Sequence, residues 1–382
     1  MRIGVDGRAL RATQPPRGVA VYLERLLHEL VRLRPEDEYR VLVPGGAREG
    51  AAPDAVEVVP EPNSGRAMYA AGAVLGRPRL DRLLGRPDLV WIPAPAPVAV
   101  SGGAPYVLTV HDLSFVHRPR DYSAYERLWH RLARPRRLAA RARLVITNTE
   151  VVRGELIEEW ALPPERVRVV PLGPGRDTAP AAGSDAGPAP AGGSDPGPSA
   201  AAGARAPAGS GDAPRHVLAV GALEPRKQPQ LLVRAHALAR ERGLRAGLVF
   251  AGDGPLRAEL EAGGATVLGH LSGAELDAVY GEALCLAAPS REEGFGFTPL
   301  EALAAGVPPL VSDLPVFAET LGDAALRVPV GDVEALSDAL LRIEREPELR
   351  ARLVEAGRAR LRELTWERAA RDTRAVFEEA LA

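Results

Sequence analysis

Residues 216–252 run HVLAVGALEPRKQPQLLVRAHALARERGLRAGLVFAG. An apolar run of strand length, HVLAVGAL (216–223), gives way to a helical pattern over 230–243 that Gly243 closes, and AGLVFAG (246–252) starts the next strand. The unit then repeats. PLRAELEAGG predicts a helix, ATVLG a strand and SGAELDAVYGEA a helix opened by a Ser272/Glu275 capping box. LCLAAPS is a strand, TPLEALAAG a helix, and VPPLVSD and ALRVPV complete the series. Short apolar strands alternating with helices predict a parallel sheet covered on both faces.

The N-terminal half carries the same rhythm less cleanly. RIGVD (2–6), YRVLVP (39–44), LVWIP (89–93), YVLTV (106–110) and RLVITN (143–148) predict strands. VAVYLERLLHELVRL (19–33) places Tyr22, Leu23, Leu26, Leu27 and Leu30 at helical spacing, and a second helix follows over about 150–160. Between the halves, residues 174–215 are rich in Ala, Gly, Pro and Ser and hold almost nothing that fills a core. Such a tract cannot offset the entropy of ordering, so a disordered linker is expected. The predicted organisation is therefore α/β: two doubly wound, Rossmann-like domains at 1–173 and 216–363, the linker, and a terminal helix over 364–382 that could cross back to the first domain. Ligands of such sheets bind beyond the carboxyl ends of the strands, so two facing domains predict a cleft.

Bulk properties narrow the function. The chain has 382 residues, 46% hydrophobic content and a net charge of −2, which gives no electrostatic pull toward nucleic acid. One cysteine, Cys285, excludes a disulfide framework and fits a reducing compartment. MRIGVDGRAL lacks the pattern of a secretory signal, and no apolar stretch reaches the roughly 18 residues of a membrane span. A cytoplasmic protein is expected. Lys227 is the only lysine among the 48 basic residues. Arginine fills every other basic position, so this lysine is a candidate for work that suits a compact point charge rather than a planar fork; the alternative is chance retention.

The chemistry concentrates in PSREEGFGFTPLEALAAG (289–306), a strand end, a glycine loop and a helix start. The glycines allow close approach to the backbone, and free N–H groups at the helix start favour a phosphate. Pro299 has no N–H, which leaves Thr298 and Leu300 as the donors. Glu293 lies on the loop and Glu301 inside the helix. Thr298 and Glu301 also have the spacing of a capping box, which is the alternative role for Glu301. Glu292 is expected to be a solvated loop acid. A second segment, VGALEPRKQPQLL (220–232), sets Arg226 and Lys227 in a turn at a strand's carboxyl end, where two cations suit a diphosphate.

The pattern EGFG-x4-E, followed by EALAAGVP and SDLP, resembles retaining glycosyltransferase family 4 of the GT-B fold, in particular its mannosyltransferase-like members. EPRK (224–227) is similar to a stretch of the same family. The resemblance spans both halves apart from the linker. It implies that Glu293 faces the donor sugar, that Gly294, Phe295, Gly296 and Phe297 offer main-chain contacts to it, and that Glu301 holds the ribose hydroxyls. Gly221, Arg226 and Lys227 would meet the diphosphate, and Gly269-His270-Leu271 would cradle the base. His111 in TVHDLSF (109–115) would touch the donor sugar; its alternative is a structural histidine bonded to a backbone carbonyl. Asp112 would cap or orient. Gly18 stands where the family has its first glycine loop, but Ala20 and Val21 depart from the usual GIGRY-like run.

The resemblance implies metal-free retention with no cofactor, since no Asp-x-Asp loop demands a metal. The partners implied are a nucleotide-sugar donor, GDP-mannose first, and a glycan or lipid-linked acceptor. A nucleotide-sugar epimerase of the same fold and a non-catalytic nucleotide-sugar binding protein are the alternatives. AGDGPL (251–256) is either a ligand loop or a plain turn. The arginines of 127–143 near Trp129 offer either a docking face for anionic lipid at the inner membrane surface or a solvated helix face.

Overall fold

The computed structural model describes residues 1–11, 18–61, 65–176 and 216–382. Most of the predicted linker, 177–215, and residues 12–17 of the first glycine loop lie outside that set.

The N-terminal sheet contains β1 (Arg2–Asp6), β2 (Glu38–Pro44), β3 (Glu57–Glu61), β4 (Leu89–Ile92), β5 (Tyr106–Thr109), β6 (Leu144–Thr147) and β7 (Val167–Val169). Their order is β3-β2-β1-β4-β5-β6-β7, with every neighbouring pair parallel. The C-terminal sheet contains β8 (His216–Val220), β9 (Gly247–Ala251), β10 (Thr266–Gly269), β11 (Ala283–Ala288), β12 (Pro309–Ser312) and β13 (Leu326–Val328). It runs β10-β9-β8-β11-β12-β13, again all parallel. Strand order reverses between β1 and β4 in one sheet and between β8 and β11 in the other. Loops leaving those strand pairs diverge, which opens a crevice at each carboxyl edge.

Two edge strands escaped the sequence pattern. β3 reads EVVPE, with a proline and two acids, and β7 has only three residues. An edge strand is bonded on one side and tolerates a proline and charge that a central strand would not.

The central strands are apolar because both of their faces are covered. β4, β5 and β6 are buried throughout. One hydrophobic cluster joins the two halves: Leu23, Leu27 and Trp91 share it with Phe295, Leu300, Phe317 and Trp366. The terminal helix Trp366–Leu381 supplies much of that continuity. Thr365 caps it, accepting from the Arg368 N–H at 3.2 Å. The helix packs on the helix Gly18–Leu33 and on β4, β5 and β6. Phe377 is fully buried, its ring 5.5 Å from that of Trp91. Burying one such ring is worth about 1.5–3 kcal/mol. Asp37, itself buried, takes the Met1 ammonium at 2.7 Å and Arg374 Nε at 2.9 Å, pinning the helix to the start of the chain.

The chain leaves the first domain through Gly173-Pro174-Gly175-Arg176, residues of which the last three belong to the predicted linker. They are held firmly. Trp366 Nε1 donates to the Pro174 carbonyl at 2.7 Å, and Arg176 donates to the Gly273 carbonyl at 2.8 Å and to Asp277 at 3.1 Å.

Candidate active site

The loops after β8 and β11, at the point where strand order reverses, bring Lys227 and Glu293 together. Gly221 follows β8 at φ +117°, and a Cβ there would lie 3.4 Å from Lys227 Nζ. A single helical turn, Pro225–Lys227, carries both cations. The Arg226 carbonyl accepts from the Arg291 N–H at 2.8 Å, which ties one loop to the other. The glycines of AGDGPL have a packing explanation. A Cβ on Gly252 would fall 2.0 Å from the Gly221 carbonyl oxygen, and one on Gly254 would fall 2.7 Å from that of Leu223. They are small so that backbone can lie on backbone, which is the plain-turn alternative.

Glu293 is the electrostatic centre. Ser290 Oγ donates to it at 2.8 Å, Lys227 Nζ lies at 3.5 Å and Arg226 Nη1 at 3.7 Å. Burial pushes its carboxyl up, but the Lys227 and Arg226 charges and the Ser290 hydroxyl outweigh that and hold it below the ordinary value. Burial likewise opposes the Arg226 charge, and Glu293, Glu224 and Asp112 outweigh it, raising that guanidinium further. Gly221, Lys227, Ser290 and Thr298 line one pocket. A phosphate in that pocket would meet the Lys227 ammonium on one side and the helix start at Thr298 on the other.

That helix spans Phe297–Ala304, one residue earlier than the sequence predicts, after Gly296 in the left-handed conformation at φ +91°. The shift changes the donors. Phe297 and Thr298 occupy the first two positions with free N–H groups, and Leu300 sits fourth. No side chain caps this helix, so the capping box of Thr298 and Glu301 is not formed. Glu301 is buried and accepts instead from Tyr280 OH at 3.5 Å. Burial raises its carboxyl above the ordinary value against the opposing charges of Arg176 and Lys227. The Phe295 side chain is buried in the shared core, so only its main chain can face a ligand. Gly18, at the start of the N-terminal domain's first helix, stands opposite: a Cβ there would lie 3.8 Å from the Phe297 ring.

The first domain closes over the β11 loop. A Cβ on Gly294 would lie 2.1 Å from the His111 carbonyl oxygen, and Thr149 Oγ1 donates to the Gly294 carbonyl at 3.3 Å. The His111 ring is engaged on both edges, Nε2 with the Pro93 carbonyl at 2.9 Å and Nδ1 with Asn148 Oδ1 at 2.8 Å. Both partners are acceptors and burial lowers the ring's pKa, so a neutral imidazole donates to only one of them; the Pro93 carbonyl contact is the one the structural alternative expects. Asp112 accepts from the Ser114 N–H at 2.9 Å and the Ser114 hydroxyl at 2.5 Å, which orients the short helix Ser114–His117. Glu292 is not a solvated acid. It bridges the domains, receiving His117 Nδ1 at 2.8 Å and Arg118 Nε at 3.1 Å. The loop after β10 sits further along the same edge. Gly269, at φ +74°, bridges to Gly252, Leu271 is half-buried and His270 is exposed.

Comparison with known proteins agrees with this arrangement. Residues 16–174 match Glycosyltransferase Family 4, and residues 204–360 match Glycosyl transferases group 1. A D-inositol 3-phosphate glycosyltransferase of Actinosynnema mirum is 31% identical over 300 residues, covering 73% of this chain and 67% of that protein. The chain belongs to glycosyltransferase family 4. The O-antigen chain mannosyltransferase B of Escherichia coli is 26% identical over 271 residues, 68% of this chain and 67% of that protein. The O-antigen chain mannosyltransferase RfbU of Salmonella typhimurium is 42% identical over 83 residues, which is 22% of this chain and 24% of the relative's length. Among solved structures, sucrose-phosphate synthase of Thermosynechococcus elongatus superposes with a TM-score of 0.69 at 16% identity, covering 99% of this chain and 98% of that one. HepE of Anabaena, determined with UDP and glucose, gives 0.68 at 16% identity, covering 99% of both chains. These likenesses show the GT-B fold.

The sequence missed two parts of this glycosyltransferase's cleft. Ser290, which orients Glu293, has no distinctive spacing. Gly175 lies against the Glu301 carboxylate, and a Cβ there would fall 2.2 Å from Oε1. Its signal was present in Gly-Pro-Gly at 173–175, but the composition of the tract that follows masked it.

Proposed function

We propose that this glycosyltransferase moves a hexose, mannose first, from a nucleoside-diphosphate sugar to a glycan or lipid-linked acceptor with retention at the anomeric carbon and without a metal. The observation that carries the reading is Glu293 held between Lys227 and Arg226, beside the free N–H groups of Phe297 and Thr298. The C1–phosphate bond breaks as the new C1–oxygen bond forms on the same face. The acceptor proton passes to the departing phosphate oxygen. Lys227, Arg226 and the helix start stabilise the developing charge, which is the step where fixed charge contributes most. Glu293 faces the sugar, and Glu301 holds the ribose. Mannose is favoured by the mannosyltransferase relatives, while the UDP of the HepE structure makes UDP-sugars the other donors to try.

The test is binding followed by turnover. GDP or UDP at about 100 times its dissociation constant stabilises a protein by about 2.7 kcal/mol. One of the two should do so with EDTA present, and the matching nucleotide-sugar should then be consumed only with an acceptor glycan. Donor isomerisation without acceptor would replace transfer with epimerisation. Binding without turnover would leave a nucleotide-sugar binding protein. Failure of both nucleotides to bind would remove the proposal.

A lipid-linked acceptor also fits the surface. Arg127, Arg131, Arg134, Arg136, Arg137, Arg141 and Arg143 are all exposed, with Tyr125 and Leu128 exposed among them and Glu126 the one acid between 122 and 143. Among the described residues no helix is long and apolar enough to cross a membrane. Peripheral docking on anionic lipid predicts co-flotation with phosphatidylglycerol vesicles, loss on phosphatidylcholine vesicles, and loss when four of these arginines become Gln.

A further inference from the structure

The segment that joins the domains reaches into the donor site. Gly173, Pro174 and Gly175 each do a separate task there. A Cβ on Gly173 would fall 2.6 Å from Trp366 Cδ1 and 2.9 Å from the Trp366 backbone nitrogen, so the chain passes Trp366 only because this residue is glycine. The Pro174 carbonyl then takes the Trp366 Nε1 proton at 2.7 Å. Trp366 is thereby fixed, and its ring stacks 6.0 Å from that of Phe297, the first residue of the phosphate-facing helix. Gly175 follows, with its missing side chain pointed at Glu301. A Cβ would stand 2.2 Å from Oε1, 3.3 Å from Cδ and 3.5 Å from the Phe297 Cβ. Arg176 completes the clasp by binding the Gly273 carbonyl and Asp277 on the opposite wall.

We infer that Gly175 is a positioning residue for nucleotide recognition: the crossover segment Gly173–Arg176 forms one wall of the ribose pocket and sets where the Glu301 carboxylate points. The inference rests on the ribose role given to Glu301 above. Glu301 is confined on its other side by Tyr280, whose hydroxyl donates to Oε2, and the pair is buried. A methyl at position 175 leaves the carboxylate one way to move, off its present line. The atom displaced is the end of a flexible side chain rather than backbone. The substitution therefore costs the fold little while it moves the group that reads the ribose. The same geometry makes the hinge and the nucleotide pocket one structure, because whatever shifts the crossover shifts Glu301.

The experiment uses the full chain, with GDP and UDP each compared with its 2′,3′-dideoxy form by calorimetry, and with Tm measured without nucleotide. A buried charged acceptor that reads a hydroxyl discriminates by about tenfold or more. Wild type should show that preference for the ribonucleotide, and Glu301→Ala should abolish it. Gly175→Ala should cut it by about fivefold or more at nearly unchanged Tm, and Gly175→Ala with Glu301→Ala should be no worse than Glu301→Ala alone. Glu301→Asp in the Gly175→Ala background, with a shorter side chain, should restore part of it. Should Gly175→Ala fail to fold, Arg176→Ala, which frees the crossover from Gly273 and Asp277, carries the same expectation. Wild-type preference in a folded Gly175→Ala, alongside its loss in Glu301→Ala, overturns the inference and leaves the glycosyltransfer reading standing. Intact preference in Glu301→Ala overturns the inference together with the ribose role.

Discussion

The His111 carbonyl oxygen of the first domain lies where a side chain on Gly294 of the second would have to be, 2.1 Å from a Cβ built there. The contact is backbone against backbone, across the cleft, one residue from Glu293. Neither partner can swing aside, so Gly294→Ala must part the domains. Overpacking of this kind costs about 1–3 kcal/mol, and here it falls on the closed state alone. Turnover should fall about 5- to 150-fold while the Tm of each half changes little. A variant with wild-type turnover would show that closure at this contact is not needed for transfer.

Lys227 and Glu293 form the charge pair on which the proposed chemistry depends. Lys227→Ala and Glu293→Ala should each lower turnover at least 100-fold, roughly 2.7 kcal/mol, with the fold intact by circular dichroism. Lys227→Arg tests the single lysine itself. The ammonium lies 3.4 Å from the Cβ position of Gly221, in space that a planar fork fills differently. It should rescue only part of the loss, and full rescue would return the lone lysine to chance.

The Glu293 carboxyl is also predicted to govern acid sensitivity. Its folded value lies below the usual 4.5 because Lys227 and Arg226 outweigh burial. A depressed carboxylate contributes stability that is present above its unfolded value and lost as pH falls through the lower folded one. The contribution should therefore persist to below pH 4.5 and vanish only beneath that. Glu293→Gln should flatten the acid limb of a Tm-against-pH curve in that window, and an unchanged limb would mean the cations hold some other group.

The legibility of this molecule in its sequence follows burial. The central strands β4, β5, β6, β8 and β11 are covered on both faces, so their composition is apolar and their periodicity declares them. The edge strands β3 and β7 are half-solvated, and nothing in EVVPE or VRV distinguishes them from loop. The same distinction runs through the site. Glu293, Lys227 and the glycines around them carry a pattern along the chain, and the pattern brings them together in space. Glu292 and Gly175 matter through contacts with distant residues, Glu292 with His117 175 positions away and Gly175 with Glu301, and no local spacing records that; Ser290 meets Glu293 only three positions on, but a lone serine in a loop carries no distinctive pattern.

Trp366 anchors the crossover, the helix Phe297–Ala304 and the shared core at once, through Pro174, Phe297 and the cluster that includes Phe295 and Leu300. Trp366→Ala should cost about 3–5 kcal/mol of stability, read as a lowered denaturant midpoint. Trp366→Phe keeps much of the packing but loses the bond to Pro174. It should therefore be milder in stability, yet weaken nucleotide binding as Gly175→Ala does. Equal stability of Trp366→Ala and wild type would mean the core closes without this residue.

His117 joins carboxylates from both domains, with Nε2 2.8 Å from Glu159 and Nδ1 2.8 Å from Glu292. Arg118 faces Glu292 from the same segment, and Glu155, whose carboxyl burial raises, lies behind on the helix that carries Glu159. Burial works against the imidazolium, but Glu292 and Glu159 outweigh it and raise His117 above its usual 6.5. A raised histidine contributes stability that is complete below the unfolded value and is lost as pH rises through the folded one. The interdomain contact should therefore be tightest at pH 6 and loosen through pH 7 and above. Hydrogen exchange at the amides of 292–294 reads that opening directly. Exchange, corrected for its intrinsic pH dependence, should quicken across this range in wild type and stay flat in His117→Gln. Arg118 should keep part of the contact in that variant, so Glu292→Gln should exchange fastest of the three at pH 6. Identical profiles for wild type and His117→Gln would mean that Arg118 alone holds Glu292 and that the histidine carries no charge between the domains.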